Sequence, residues 1–323
     1  MSKRLAFTLF FLFFLLITIT IAKLLEIKKE VHLDIPIKTP GLTEKIILKK
    51  VITEKKNPIN PILVNDTIRI EHYFSYMDSL VTVYDSLTDY PLSEHLMVNS
   101  NPWIIDTLAN TDYYNMMQRD SFVYDQRKMI VLKPKDSIIL PDSLKAYSII
   151  ETFGKTRIDI NLPEYKLRVY EGSLLVSTYL IRIGQNKRKY LKMGDRLTDL
   201  RTLQGKGQII GFRKNPDFYN PTTGKQFFVT RRDDNKTTLM PQIPWIVTEI
   251  DGIRNGQLIH PTTNPMSLGK AYSNGCIGVK ESDAWRIYYQ CPIGTEINIR
   301  YDLNVIDDGG SDFLLKDIYE LSV

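Results

Sequence analysis

One cysteine and one histidine hold the nucleophilic chemistry open to the C-terminal half of this chain. Cys276 stands in Tyr272-Ser273-Asn274-Gly275-Cys276-Ile277-Gly278-Val279, sixteen positions after His260, the single histidine beyond His95. A free thiol, with a pKa of about 8.5, is mostly protonated at neutral pH, and an imidazole that takes its proton yields a thiolate–imidazolium pair able to attack a carbonyl. Gly275 lets the backbone come close to a substrate. The N–H groups at and just before Cys276 are placed to receive the oxyanion of acyl transfer, where each donor is worth about 3 kcal/mol of barrier. By residue type alone, Cys276 also fits a buried small side chain beside a satisfied core histidine. A Cys276–Cys291 disulfide is a further option outside the cytoplasm, although Cys291 lies on the apolar side of a helical stretch, as a structural thiol does. Ligand spacing and a fourth partner are missing for a metal site of His260, Cys276 and Cys291, so no metal and no cofactor are expected.

The elements around these residues read as mainly β. After Thr156, Ile158 and Ile160 alternate, as do Leu167 and Val169, with turns at 161–164 and Glu171-Gly172 and an apolar run from Leu175 to Ile183. Further strands are expected at 208–212, 227–230, 245–250, 257–259 and 296–300. One helix follows Ser282, its expected cap, with Ala284, Ile287, Tyr288 and Cys291 on one side. Upstream, residues 63–153 form a small α+β accessory region, a candidate for substrate binding. It contains a helix with apolar positions from Ile70 to Leu87 capped by Asp66, a second helix over 104–119, and a short hairpin of 129–132 with 137–140 about a Lys-Pro-Lys-Asp turn.

Lys3 and Arg4 precede eighteen uncharged residues, Leu5 to Ala22, which identifies 1–22 as an export segment. Its length suits an uncleaved anchor across the ~30 Å hydrocarbon layer, while Thr20-Ile21-Ala22 offers the small residues of a cleavage site. Positive charge at the extreme N-terminus keeps that end cytoplasmic and puts the rest on the far side of the membrane. Residues 23–62, rich in Lys and Glu and interrupted by Pro36, Pro40, Pro58 and Pro61, read as a linker. The segment 302–323 reads as a solvated acidic tail. The net charge of +5 over 323 residues, without a basic stripe, gives no support for nucleic acid as a partner.

The span from about 157 to 300 resembles the catalytic domain of bacterial L,D-transpeptidases. Ile259-His260-Pro261-Thr262 and Ser273-Asn274-Gly275-Cys276 are similar to that family's Ile-His turn and its Ser/Thr-His-Gly-Cys motif. Ile158-Asp159-Ile160-Asn161-Leu162 with 166–172 is similar to its opening hairpin, and 201–207 takes the place of its Thr-Pro-x-Gly segment. The resemblance implies a β-sandwich or barrel over 154–301. It also implies Cys276 as nucleophile, His260 as proton donor and acceptor, and Ser273, Asn274, Gly275 and Thr262 as oxyanion or substrate-positioning residues. The implied reaction passes a peptidoglycan stem tetrapeptide through a thioester to an amine in the cell envelope. A carboxypeptidase using water and a non-catalytic wall-binding module are the alternatives. Three departures stand out: Asn274 where the family has His, Gly278 where it has Arg, and Pro261 where it has Gly. Asn274 does not titrate, so the base falls to His260. The missing arginine leaves the contact with a substrate carboxylate to another cation, with Arg231, Arg232 and Lys270 as candidates. Between Lys155 and Tyr301 there are 23 Lys and Arg against 13 Asp and Glu, a balance of +10 suited to carboxylate-bearing wall peptides.

Overall fold

The computed structural model describes residues 61–321 apart from 255 and 307–309. The expected N-terminal apolar helix and nearly all of the linker lie outside the described residues, among which no helix is long and apolar enough to cross a membrane. The described chain begins with two short strands, β1 (Ile62–Leu63) and β2 (Ile68–Arg69), then α1 (Ile70–Tyr84), α2 (Glu94–Asn99), α3 (Trp103–Ala109) and α4 (Tyr113–Met117). Next come β3 (Ile130–Leu132), β4 (Ser137–Ile138) and α5 (Ser143–Lys155).

Three local expectations are corrected here. Asp66 does not cap α1; β2 leads directly into it, and the cap residue Arg69 offers no side-chain acceptor. The single helix expected over 104–119 is two helices, because the Asp112 carboxylate accepts the N–H groups of Tyr114 and Asn115 and starts a new one. The strands at 130–132 and 137–138 do not pair with each other. They pair with β2 and β1, and buried Val64 bonds Lys135 and Asp136 within the turn, so the N-terminal strands intervene.

The remaining strands form the body of the protein. Chain order gives β5 (Thr156–Asn161), β6 (Lys166–Glu171), β7 (Leu174–Leu180), β8 (Ile183–Gly184), β9 (Arg188–Leu191), β10 (Arg196–Asp199) and β11 (Gly205–Arg213). After these run β12 (Val229–Arg231), β13 (Thr237–Leu239), β14 (Trp245–Ile250), β15 (Leu258–Pro261), β16 (Ala271–Ser273) and β17 (Ile277–Val279), then α6 (Glu281–Gln290), β18 (Glu296–Arg300), β19 (Asn304–Ile306) and β20 (Asp312–Leu314). Eight of them make one sheet in the order β17-β15-β14-β11-β18-β5-β6-β7, with β15 and β17 parallel, β18 and β5 parallel, and the other neighbours antiparallel. The chain just past β7 then meets β17: Arg182 N–H donates to Gly278 O at 2.8 Å and Gly278 N–H to Arg182 O at 3.0 Å. That contact joins the two edges of the sheet and brings it close to a barrel.

Residues 61–153 and the sheet share one hydrophobic core, with α6 at its centre. Phe74 of α1 stacks on Trp285 at 5.9 Å, and the hydroxyls of Tyr73 and Tyr289 are 2.7 Å apart. Ser282 is not the cap of α6; its N–H is received at 2.9 Å by Asp112, so one carboxylate caps both α4 and α6. The segment after Tyr301 is not simply a solvated tail. β19 pairs with β20, and Tyr319, 3% exposed, stacks on Tyr301 at 5.4 Å.

At the junction of the accessory region and the sheet, Arg232 donates to Glu281 at 2.5 Å, with both side chains at most 1% exposed. Gln126 Oε1 and Thr238 Oγ1 also accept from Arg232, each at 2.8 Å. This buried network takes Arg232 away from the surface, so it is not the replacement cation considered above. Removing one partner of such a pair leaves the other charge buried and unpaired. Arg232→Ala is therefore expected to lower unfolding stability by about 3–5 kcal/mol, read from urea midpoints and slopes. A loss under about 1 kcal/mol would contradict the assignment.

Candidate active site

The register of β15 against β17 sets the site. Ile259 faces Ile277, His260 faces Gly278 and Pro261 faces Val279. Ile259, Ile277 and Val279 are at most 1% exposed and point into the core. By the two-residue period of a strand, His260 and Gly278 then lie on the opposite face, and Cys276, one step before β17, falls on that face as well. Diagonal neighbours two residues apart have Cα atoms ~7–8 Å from each other, within reach of long or aromatic side chains. Arg182, bonded to Gly278 from the other side, extends the same row, so Arg182 from the link between β7 and β8, Gly278 of β17 and His260 of β15 stand side by side with Cys276 one pleat back.

The turn that carries Cys276 is braced by its neighbours. Gly275 has φ +112°, a conformation that L side chains rarely adopt. Ser273 Oγ donates to Cys276 O at 2.5 Å and accepts from Gly275 N–H at 3.2 Å. The Gly275 amide is thus occupied within the turn and is not free for an oxyanion in this conformation. Thr202 Oγ1 donates to Gly275 O at 3.0 Å and accepts from Gly184 N–H at 2.8 Å. The Tyr319 hydroxyl completes the support, donating to Gly184 O at 2.8 Å and accepting from Thr202 N–H at 3.1 Å. Gly184 admits no side chain, since a Cβ would stand 1.9 Å from Leu200 O.

Other expected site residues are placed differently. Thr262 is buried; its amide bonds Val279 O at 2.7 Å and its hydroxyl closes a turn with Asn264, so it anchors the end of β15 rather than facing a substrate. Asn274 is exposed at the rim. Arg231 is bonded to Asn235 at 2.9 Å, and Lys270 is exposed. Arg182, Thr202 and Tyr319 were not singled out in the sequence. The signals for the first were a lone arginine within the apolar stretch 175–183 and an isolated glycine within Ile277-Gly278-Val279, the mark of a close backbone approach.

Electrostatics correct the expected ion pair. His260 Nδ1 lies 2.9 Å from Pro261 O, and since a carbonyl only accepts, Nδ1 carries the proton and Nε2 keeps its lone pair. Trp245 packs against the ring at 5.3 Å. Burial, and then the nearby Arg182 guanidinium, push the imidazole down to about 4. Burial also raises the Cys276 thiol, against smaller opposing effects of a Leu258 backbone hydrogen bond and of Arg182 and Arg213. At neutral pH the pair therefore rests as thiol and neutral imidazole. Cys291, fully buried, is a free thiol, as is Cys276, so no disulfide links them.

The neutral pair has a measurable consequence. Iodoacetamide labelling of Cys276, read by peptide mass, should show a midpoint above the free-thiol value of about 8.5, because only the thiolate reacts. His260→Ala should leave that midpoint nearly unmoved. A wild-type midpoint below pH 7 that rises in His260→Ala would restore the ion pair.

Residues 155–299, somewhat under half of the chain, match the YkuD family model, the L,D-transpeptidase catalytic domain. No curated protein matches the chain. Among solved structures, an L,D-transpeptidase from Mycobacterium smegmatis is similar at 14% identity, covering 45% of this chain and 58% of that one with a TM-score of 0.32. One from Mycobacterium tuberculosis H37Rv is similar at 13% identity, 45% and 57% coverage and a TM-score of 0.30. One from Xylanimonas cellulosilytica has 13% identity, 76% and 100% coverage and a TM-score of 0.33. The chain spans less than two thirds of the length of the two mycobacterial proteins. What the comparisons establish is a likeness: residues 155–299 are similar to the L,D-transpeptidase catalytic domain.

Proposed function

We propose that the protein is a peptidoglycan L,D-transpeptidase of the bacterial cell envelope, with Cys276 as nucleophile and His260 as its base. The observation that carries this reading is the placement of the two on one outward face of adjacent parallel strands inside the family domain, with the lone pair of His260 Nε2 available. Reaction begins when the thiol proton passes to Nε2 and Sγ bonds the carbonyl carbon of the third stem residue. The Cys276 N–H, which takes no part in the hydrogen bonds of its own turn, is the oxyanion donor. Collapse of the adduct breaks the peptide bond, and the imidazolium returns its proton to the leaving D-alanine amine. An amine of a second stem then attacks the thioester and gives its proton to His260; the C–S bond breaks as the new amide forms, and the imidazolium returns the proton to Cys276 Sγ. Export directed by residues 1–22, as an uncleaved anchor or a cleaved signal, accounts for a domain working outside the cytoplasmic membrane.

Hydrolysis uses the same two residues with water as acceptor, and the products separate the two reactions. With purified protein and muropeptides, wild type should give cross-linked dimers, Cys276→Ala none, and Cys291→Ala near wild-type amounts. A carbapenem should add its mass to Cys276 alone. Dimers formed by Cys276→Ala would exclude the thioester route, and trimmed monomers without dimers would identify a carboxypeptidase.

A further inference from the structure

The Arg182 side chain lies across the site where Gly278 has none. A Cβ at 278 would stand 2.4 Å from Arg182 Nε, 2.7 Å from Cγ and 2.9 Å from Cδ, so the stem of the arginine runs directly over the glycine. The two residues are coupled: the guanidinium fits only because position 278 carries no side chain.

The guanidinium is poorly satisfied by the protein. Its Nε is buried without a hydrogen-bond partner, and Nη1 donates at 3.2 Å to Ser267 Oγ, whose own proton goes to Asn264 O at 2.6 Å. Among the described residues no carboxylate forms a salt bridge with Arg182. The acid with an electrostatic influence on it, Asp233, is held by Asn264 Nδ2 at 3.0 Å and Met266 N–H at 2.8 Å. Largely buried arginines are normally paired, because an uncompensated buried charge is costly. A planar guanidinium with free N–H groups matches a carboxylate in a way that a point charge does not. Its effect is felt at both Cys276 and His260, so an anion docked there lies beside the reacting bond.

We propose that Arg182, whose side chain crosses Gly278 beside Cys276, docks the C-terminal carboxylate of the acyl-donor peptide through its guanidinium. This rests on the transpeptidase reading of the site and names the residue that selects its donor. The leaving residue must then end in a free carboxylate one residue beyond the scissile bond. A donor longer by one residue places that group ~3.5 Å further along and loses the contact.

The test measures docking separately from turnover. In the full chain carrying Cys276→Ala, calorimetry compares a stem tetrapeptide ending in a free carboxylate with the same peptide ending in an amide. The free acid should bind about 10- to 100-fold more tightly, the range of a charge-assisted hydrogen bond. Adding Arg182→Gln should remove that preference, and Arg182→Lys should keep part of it. If Arg182→Gln fails to fold, the comparison of acid with amide in the Cys276→Ala and Arg182→Lys proteins decides. Equal binding of acid and amide, or a preference that survives Arg182→Gln, overturns the proposal. Acid-dependent binding that vanishes in Arg182→Gln, in a protein that forms no thioester when Cys276 is present, would sustain the docking site and refute only the transpeptidase reading.

Discussion

Two backbone hydrogen bonds between Arg182 and Gly278 join the edges of an eight-stranded sheet, and the candidate site depends on that seam. Without it, β17 would be an edge with unpaired backbone groups, and the Cys276 turn would hang from one neighbour instead of two. With it, the link after β7 and the strands β17 and β15 present Arg182, Gly278 and His260 in one row. Further support comes from the short parallel pair β8 and β16 and from the Thr202–Gly184–Tyr319 hydrogen bonds behind the turn. Because these groups are bonded at more than one point, the thiol is held by the surrounding fold as well as by the Ser273 bonds of its own turn.

The same closure sets the charge state of the site. Packing Trp245 against the imidazole and strands on either side of Cys276 removes water, and burial favours the neutral form of each group. Arg182 adds a positive charge that disfavours imidazolium and favours thiolate, but for the thiol burial outweighs it. A neutral pair suits a base that moves its proton during attack. It also protects the thiol from adventitious alkylation and oxidation, which follow thiolate character.

The accessory region stabilises this arrangement from behind. Its helices bury Phe74 and Tyr73 against α6, and α6 follows β17 after a single residue, so packing on the helix is felt at the strand next to Cys276. Asp112 and the buried Arg232–Glu281 pair fix the start of α6 from two sides. A region that shares its core with the sheet in this way is part of the same folding unit, whatever else it binds.

Much of the site could be read in the linear sequence, because the relevant signals are local. The strands expected at 245–250 and 296–300 have their observed bounds, and the glycine before the cysteine, expected to bring the backbone close to a substrate, stands in a turn at positive φ. The motif order pointed to Cys276 and His260 in the same way. What the sequence could not supply depended on contacts between distant segments. Asp112 caps a helix 170 residues away, Tyr319 braces a turn from within a stretch that composition reads as solvated, and the helix expected over 104–119 breaks where that capping carboxylate is needed. Arg182 is the clearest case. Its charge and the missing side chain at 278 are both visible in the sequence, but they become one feature only when the closing sheet lays one strand against the other. Composition and period fix which face of a strand is apolar; which strands become neighbours, and hence which polar groups meet on the other face, is decided by the global packing of the core.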